Sequence, residues 1–400
     1  MKNIIIRLAV AFCLIISSSS AFAQKKILVS QILAKQGISG TIDYFKNQTD
    51  QPKYQFVLGG LEALSAIEFI LQVRYENYSG QLPLVPGGRA QIEYNPDAVF
   101  DPAFIETALK GALERLERAE NIFDEMSGEE FFIELYVSDI WFDINKNGKR
   151  DAAEGLLQQL GELGAFQDSS LKSTLIRFDI ADADWLAAYV HLLSGMAEMV
   201  LAVDPTPAIK TISEGRALME EKGVLRRDPF LGEDATIDSI TVLIKALDGV
   251  PDKNRTRKAL AHFKSMIEHN QDFWRLVMLE TDDEAEWLPN PNQTSAFGVA
   301  VDLETANAWQ TVLGEISEVL NGEALIPHWR IGDSRGEEFG VGINFAKLMN
   351  DPSEFDVILM LHGAAIAPYL EEGKIADMRA WRDFSRLTGG QGLLFSLWFN

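Results

Sequence analysis

Apolar residues along this chain recur mostly at helical spacing, which predicts a succession of helices with few strands. From Phe56 to Tyr75 the run is apolar on nearly every face, broken only by Glu62, Ser65, Glu68, Gln72 and Arg74. A helix of that kind belongs inside a larger bundle. Beyond Phe104, the positions Ala108, Leu109, Ala112, Leu113, Leu116, Ala119 and Phe123 share one face, while Arg115, Glu117, Arg118 and Glu120 face water. Asp101-Pro102 supplies an acid cap and a proline at the first helical position, so this helix is predicted to run to Met126. Glu129–Phe142 and Glu154–Leu163 read as the next two helices, and Thr174–Phe178 as a short strand. Asp182 caps a predicted helix over Trp185–Val203, which Asp204-Pro205 ends. Further helices are expected over Ser30–Gln36, Ala208–Lys222, Thr236–Leu247, Lys253–Thr281, Leu303–Leu320 and Asp377–Leu387. Asp351-Pro352-Ser353-Glu354 reads as a capping box that opens a helix over Phe355–Leu370. Leu393–Phe399 is an apolar tail, strand or packed coil.

The fold class expected is therefore all-α, a multi-helix bundle or a helical-repeat-like array with very few short strands. No clear repeat period is present, though the paired helices leave the array open. Asn77–Pro96 is turn-rich, and Gly332–Gly342 is glycine-rich. Asp282–Thr294 is an acidic loop rich in proline and asparagine, and the one plausible boundary. It would divide a helical domain over 24–281 from a C-terminal helical part over 282–400, unless the two share one domain.

The first residues change the picture. Lys2 and Arg7 followed by the apolar run Leu8–Ile16 and by Ala21-Phe22-Ala23 have the form of a secretory signal over 1–23, cleaved near Ala23-Gln24. The expected location is periplasmic or secreted. The one cysteine, Cys13, falls inside that signal, so the mature chain would hold no disulfide and no cysteine metal site. The formal net charge of −23 disfavours nucleic acid and anionic membranes, since both need a basic face. The nearest approach to a membrane span is Trp185–Val203, and His191 and Glu198 within it favour a buried core helix instead. No integral membrane association is expected.

Candidate chemistry centres on Asp143–Glu154, Asp-Ile-Asn-Lys-Asn-Gly-Lys-Arg-Asp-Ala-Ala-Glu. This stretch resembles the calcium loop of the EF-hand family, position by position. The resemblance implies that Asp143, Asn145 and Asn147 converge on one ion, that Gly148 makes the sharp turn where a Cβ would clash, and that Lys149 offers its backbone carbonyl. Asp151 would act directly or through water, and Glu154 would supply both carboxylate oxygens. It also implies a helix on each side of the loop. Arg150 stands where an aliphatic residue usually pairs with a second loop, and no second loop is found. With Lys146, Lys149 and Arg150 among three formal negatives, modest affinity is expected, about 10⁻⁴–10⁻³ M as in extracellular modules.

Other constellations compete. Gly332-Asp333-Ser334-Arg335-Gly336 matches a serine-hydrolase elbow, with Asp356 and His362 following in chain order, but the elbow needs a multi-stranded sheet. Five histidines remain: His191, His262, His269, His328 and His362. His262 and His269 lie two turns apart on one helix. Glu62, Glu68, Glu198, His191 and His362 interrupt apolar helices and could meet as a metal site, or pair with backbone and with each other. Trp287, on the Asp282–Thr294 loop, is a candidate contact for an unknown protein or small-molecule ligand, or folds back to plug the bundle. The expectation is an exported, calcium-binding helical scaffold or binding module. The alternative is an enzyme, either a hydrolase using Ser334 and His362 or a metalloenzyme using buried Glu and His.

Overall fold

The computed structural model describes residues 28–77, 95–162, 174–224, 234–298, 300–331, 339–377, 379–390 and 392–399. The elements in chain order are α1 (Leu28–Phe45), α2 (Pro52–Asn77), α3 (Phe104–Asp124), β1 (Phe132–Tyr136), α4 (Leu156–Glu162), β2 (Leu175–Asp179), α5 (Ile180–Ala202), α6 (Thr206–Glu221) and α7 (Asp234–Ala246). There follow α8 (Lys253–Val277), α9 (Leu303–Asn321), β3 (Phe339–Ile343), α10 (Phe345–Asn350), α11 (Val357–His362), β4 (Leu370–Lys374), α12 (Arg379–Leu387) and α13 (Gly392–Phe399). The fold is mostly helical. Among the described residues the strands form two antiparallel pairs, β1 with β2 and β3 with β4.

Two apolar cores meet at α5. The first gathers α1, α2, α3, β1 and the buried faces of Ala187 and Val190. The second gathers α8, α9, α10, α12 and α13 with Ala181 and Trp185 of α5. The side chains of α5 that are small, Ala181, Ala187, Ala188, Ser194, Gly195 and Ala197, let neighbouring helices approach closely. A Cβ on Gly195 would stand 2.6 Å from the Phe263 ring of α8. By length and composition α2 and α5 could each cross a membrane, yet each buries most of that stretch inside the protein, 61% and 56%. They read as core helices, and no clear integral membrane association follows.

Three expectations need correction. Glu129–Phe142 is not a helix: it holds β1, a 3₁₀ turn over Val137–Asp139 and an extended approach to Trp141. The reason is local. Phe131, Phe132, Ile133, Tyr136 and Val137 are β-branched or aromatic and fit a pleated, half-buried surface, where Ile133 pairs with Phe178 and Tyr136 with Leu175. The helix expected over Phe355–Leu370 is shorter. Asp356, not Asp351, caps α11 through the Leu359 N–H at 2.8 Å, and Gly363 ends it in the left-handed region at φ 97°. The apolar tail is the helix α13. Elsewhere the predicted strand over Thr174–Phe178 is β2, and Asp182 stands within a capping box whose N-cap is Asp179. Most of the turn-rich stretch 77–96 and all of Gly332–Gly336 lie outside the described residues.

Candidate metal centres

The loop at 143–154 is best understood from its anchors inward. Trp141 is buried, and its indole N–H donates to the Leu33 carbonyl at 2.8 Å. Its ring lies against Gly37, which has φ 65° at the kink of α1, and a Cβ there would stand 3.0 Å from the ring. Two side chains of α2 hold Asp143: Gln72 Nε2 donates to its carbonyl at 2.8 Å, and its own N–H donates to Glu68 Oε1 at 2.8 Å. The two ends of the loop are tied together by an antiparallel bridge between Trp141 and Gly155. The Phe142 N–H donates to the Glu154 carbonyl at 2.9 Å, and the Leu156 N–H to the Ile140 carbonyl at 3.0 Å.

Between these ends the predicted donors turn inward. The Asp143 carboxylate accepts from the Gly148 N–H at 3.0 Å. Asn145 Oδ1 accepts from the Asn147 N–H at 3.1 Å, and Asn147 Oδ1 from the Lys149 N–H at 2.7 Å. Both asparagine amides donate to Asp151 Oδ2, at 2.9 and 3.0 Å. Glu154 is fully buried, 0% exposed, and accepts from the Ile144 N–H at 2.9 Å and the Asp151 N–H at 2.7 Å. Burial pushes its carboxyl above the usual range, against the pull of those N–H groups. Carboxylate and amide oxygens each carry a second lone pair, so these residues fit a hard cation with oxygen ligands.

Two implications of the resemblance are revised, and a departure from it is explained. Gly148 is required by its left-handed φ of 70°, not by crowding, since a Cβ there meets nothing within 4 Å. The flanks are a strand and a 3₁₀ turn before the loop and the helix α4 after it, so the context is not helix–loop–helix. Arg150 does not pair with a second loop, and its Nη2 donates to the Ser138 carbonyl at 2.8 Å.

The other candidates fare differently. Ser334 lies outside the described residues, Asp356 serves as the cap of α11, and His362 ends that helix. The described sheets have two strands each, short of what a hydrolase elbow needs. The buried acids do not converge: Glu62 pairs with Arg118 at 2.8 Å, Glu198 with Arg255 at 2.6 Å, and Glu68 holds Asp143. Trp287 is half-buried, with ring centroids 5.2 Å from Trp185 and from Phe297 and 6.0 Å from Phe178. It is folded inward rather than displayed.

One cluster was missed. Glu120 of α3, placed facing water by periodicity, meets His191 of α5 and His262 of α8 in a partly buried group. The Nδ1 atoms of the two histidines are 3.0 Å apart, and Glu120 Oε1 lies 3.6 and 3.5 Å from them. Ser194 Oγ donates to the same Oε1 at 2.8 Å. His269 stacks on His191 at 5.5 Å between centroids and bonds Asp184 through Nδ1 at 2.9 Å. Burial, then its histidine neighbours, lower the pKa of His191 to about 4, while the hydrogen bond to Asp184 raises that of His269. Burial raises the carboxyl of Glu120. The signal available in the sequence was the pair His191 and Ser194, three apart in an otherwise apolar stretch, and His262 with His269 on one helix face. Compared with known proteins, the chain matches no family model, no curated protein and no solved structure.

Proposed function

We propose that this chain is an exported calcium-binding helical protein in which the ion at Asp143–Glu154 is structural. The observation that carries the reading is the loop backbone: successive turns at Asp143, Asn145 and Asn147, with Glu154 buried beneath, give the order of donors that a calcium loop needs. The ion would close the join between β1 and α4, which the Trp141–Gly155 bridge already brings together. In a compartment holding calcium well above the dissociation constant such a site stays filled and stabilises rather than switches.

The test is the melting temperature of the mature protein after EDTA, followed by calcium or magnesium. A calcium-specific rise of several degrees is expected, as is its loss in Asp143→Ala. An unchanged melting temperature would demote the loop to a polar turn.

A binding role rests on a second observation. An apolar cavity of about 210 Å³ lies between α1, α2, the β1–β2 pair and α5, lined by residues including Leu33, Phe56, Leu193 and Trp287. Ile140 and Leu156, whose backbones close the calcium loop, also line it. The Trp287 indole N–H is buried without a hydrogen-bond partner among the described residues. A dry apolar cavity of this order takes a small apolar molecule. Quenching of tryptophan fluorescence by indole-sized apolar probes, lost on filling the cavity with Leu193→Trp, checks this reading; no quenching at probe saturation removes it.

A further inference from the structure

The geometry points to a second metal site, distinct from the calcium loop, in which Glu120, His191 and His262 bind a divalent transition ion of the zinc class. Three helices supply the donors, so the site does not depend on any loop. The three donor–donor distances are 3.0, 3.5 and 3.6 Å. A tetrahedral ion with bonds of roughly 2.0–2.1 Å sets its ligands about 3.3 Å apart, the middle of that range. Without an ion the arrangement is poorly satisfied. Nδ1 faces Nδ1, so one proton at most can lie between the two rings. Glu120 Oε1 is then beyond hydrogen-bond distance of both nitrogens and is left with the Ser194 hydroxyl. One cation at the centre of the triangle serves all three atoms.

The donor set chooses the ion. Two imidazoles and one carboxylate suit zinc and its neighbours, whereas calcium takes oxygens. The chain thus offers two sites of different character, all-oxygen at 143–154 and nitrogen-rich here. The surroundings fit a bound cation. The Ser194 hydroxyl donates to the ligating oxygen of Glu120 and orients the carboxylate, as hydrogen-bond donors to metal ligands do. Asp124, one turn along α3 from Glu120, acts electrostatically on both Glu120 and His269, and Asp184 lies beyond His269. The ligand side chains are 13–21% exposed, enough for an ion to enter. Three protein ligands leave a fourth position for water or an added ligand. Bound there, the ion would staple α3 to α5 and α8, joining the first core to the second.

The test uses the full mature chain without a histidine tag, calcium-loaded, with cobalt(II) as a visible probe. Cobalt should give the absorption of a four-coordinate site at one equivalent, and zinc should displace it. His191→Gln and His262→Gln should abolish the band, with folding checked by circular dichroism. Ser194→Ala should weaken binding about 10-fold. His269→Gln and Asp143→Ala should keep the site, which separates it from the calcium loop. A wild-type protein that is folded and gives no cobalt band and no zinc uptake overturns the proposal, whatever becomes of the variants. So does a band that survives His262→Gln, because the two imidazoles would then be only a hydrogen-bonded pair.

Discussion

The loop at 143–154, proposed to hold calcium, and the Glu120–His191–His262 cluster place their donors by opposite means. In the loop the side chains lie within twelve consecutive positions and are aimed by hydrogen bonds inside the loop, as Asp143 is by the Gly148 N–H and Asn147 by the Lys149 N–H. In the cluster, His191 and His262 are 71 positions apart and are aimed by the packing of α5 on α8. The loop can therefore be recognised as a string of residues, while the cluster exists only once three helices have met. The same contrast sets what each region withstands. The loop depends on its own turns and on a few anchors. The cluster depends on the distance between helices, which any change in their packing alters.

The largest effect is expected at the loop's main anchor. Trp141→Ala removes a buried ring and the bond to Leu33, and should cost about 3–5 kcal/mol, measured by chemical denaturation with calcium held constant. Calcium affinity should fall with it, because the ring anchors the segment that leads into the loop against α1. If affinity is unchanged while stability drops, the loop holds its shape independently of the Trp141 anchor.

Next comes Glu154→Gln. The amide keeps one acceptor for the Ile144 or Asp151 N–H but loses a charge and an oxygen ligand. The calcium-dependent gain, about 2.7 kcal/mol when calcium stands at 100 times its dissociation constant, should disappear. Cobalt binding at the cluster should be untouched. Melting curves of the variant with EDTA and with calcium should superimpose, and a surviving calcium shift would remove Glu154 from the ligand set.

Two glycines then separate the regions by mechanism. Gly195→Ala puts a Cβ against Phe263 and should cost about 1–3 kcal/mol through overpacking, with cobalt binding weakened as α5 and α8 part. Gly148→Ala meets no atom and should cost only about 1–2 kcal/mol, from the left-handed φ, with calcium binding weakened instead. Denaturation midpoints and the two metal titrations, run on both variants, form a two-by-two check. Crossed effects, with Gly148→Ala weakening cobalt, would mean that the sites are coupled.

Periodicity made the helical fold legible, because α3, α8 and α9 each carry a sustained apolar face and α5 is apolar on most sides. It misled at Glu129–Phe142, where short apolar runs fit a helix and a strand equally and the pairing with β2 decided the outcome. It misled again at Glu120, since the face it labels polar is the one that α5 covers with His191 and Ser194. The turns at Asp143, Asn145 and Asn147 were legible because hydrogen bonds within the loop fix them. Its flanks were not, because they depend on elements distant in sequence; the inward fold of Trp287 was one of the two readings the sequence offered, but its partners Trp185 and Phe178 were not legible.

The smallest effect expected lies outside both regions, in the acidic turn after α8. Burial, then Asp179, pushes the Glu280 carboxyl up to about 8, and burial, then Asp282, pushes Glu286 to about 7. Burial, then Asp179, also raises Asp182. Arg177, ion-paired with Glu284, is the cation facing this group. The folded state therefore holds protons that the unfolded chain releases near the ordinary value of 4.5. Their contribution to stability is complete below that value and is lost as pH rises through about 7 to 8. The melting temperature at constant calcium should fall as pH rises from about 4.5 to about 8. Glu280→Gln keeps an acceptor for Gln293 Nε2, now 3.1 Å from the carboxylate, and removes one ionisation. Because solvent reaches this side chain, screening limits the gain, and the fall should become shallower by about one or two degrees. A slope identical to that of the parent protein would mean that water already satisfies the charge on Glu280, and that the turn's acids are spaced by solvent rather than strained by burial.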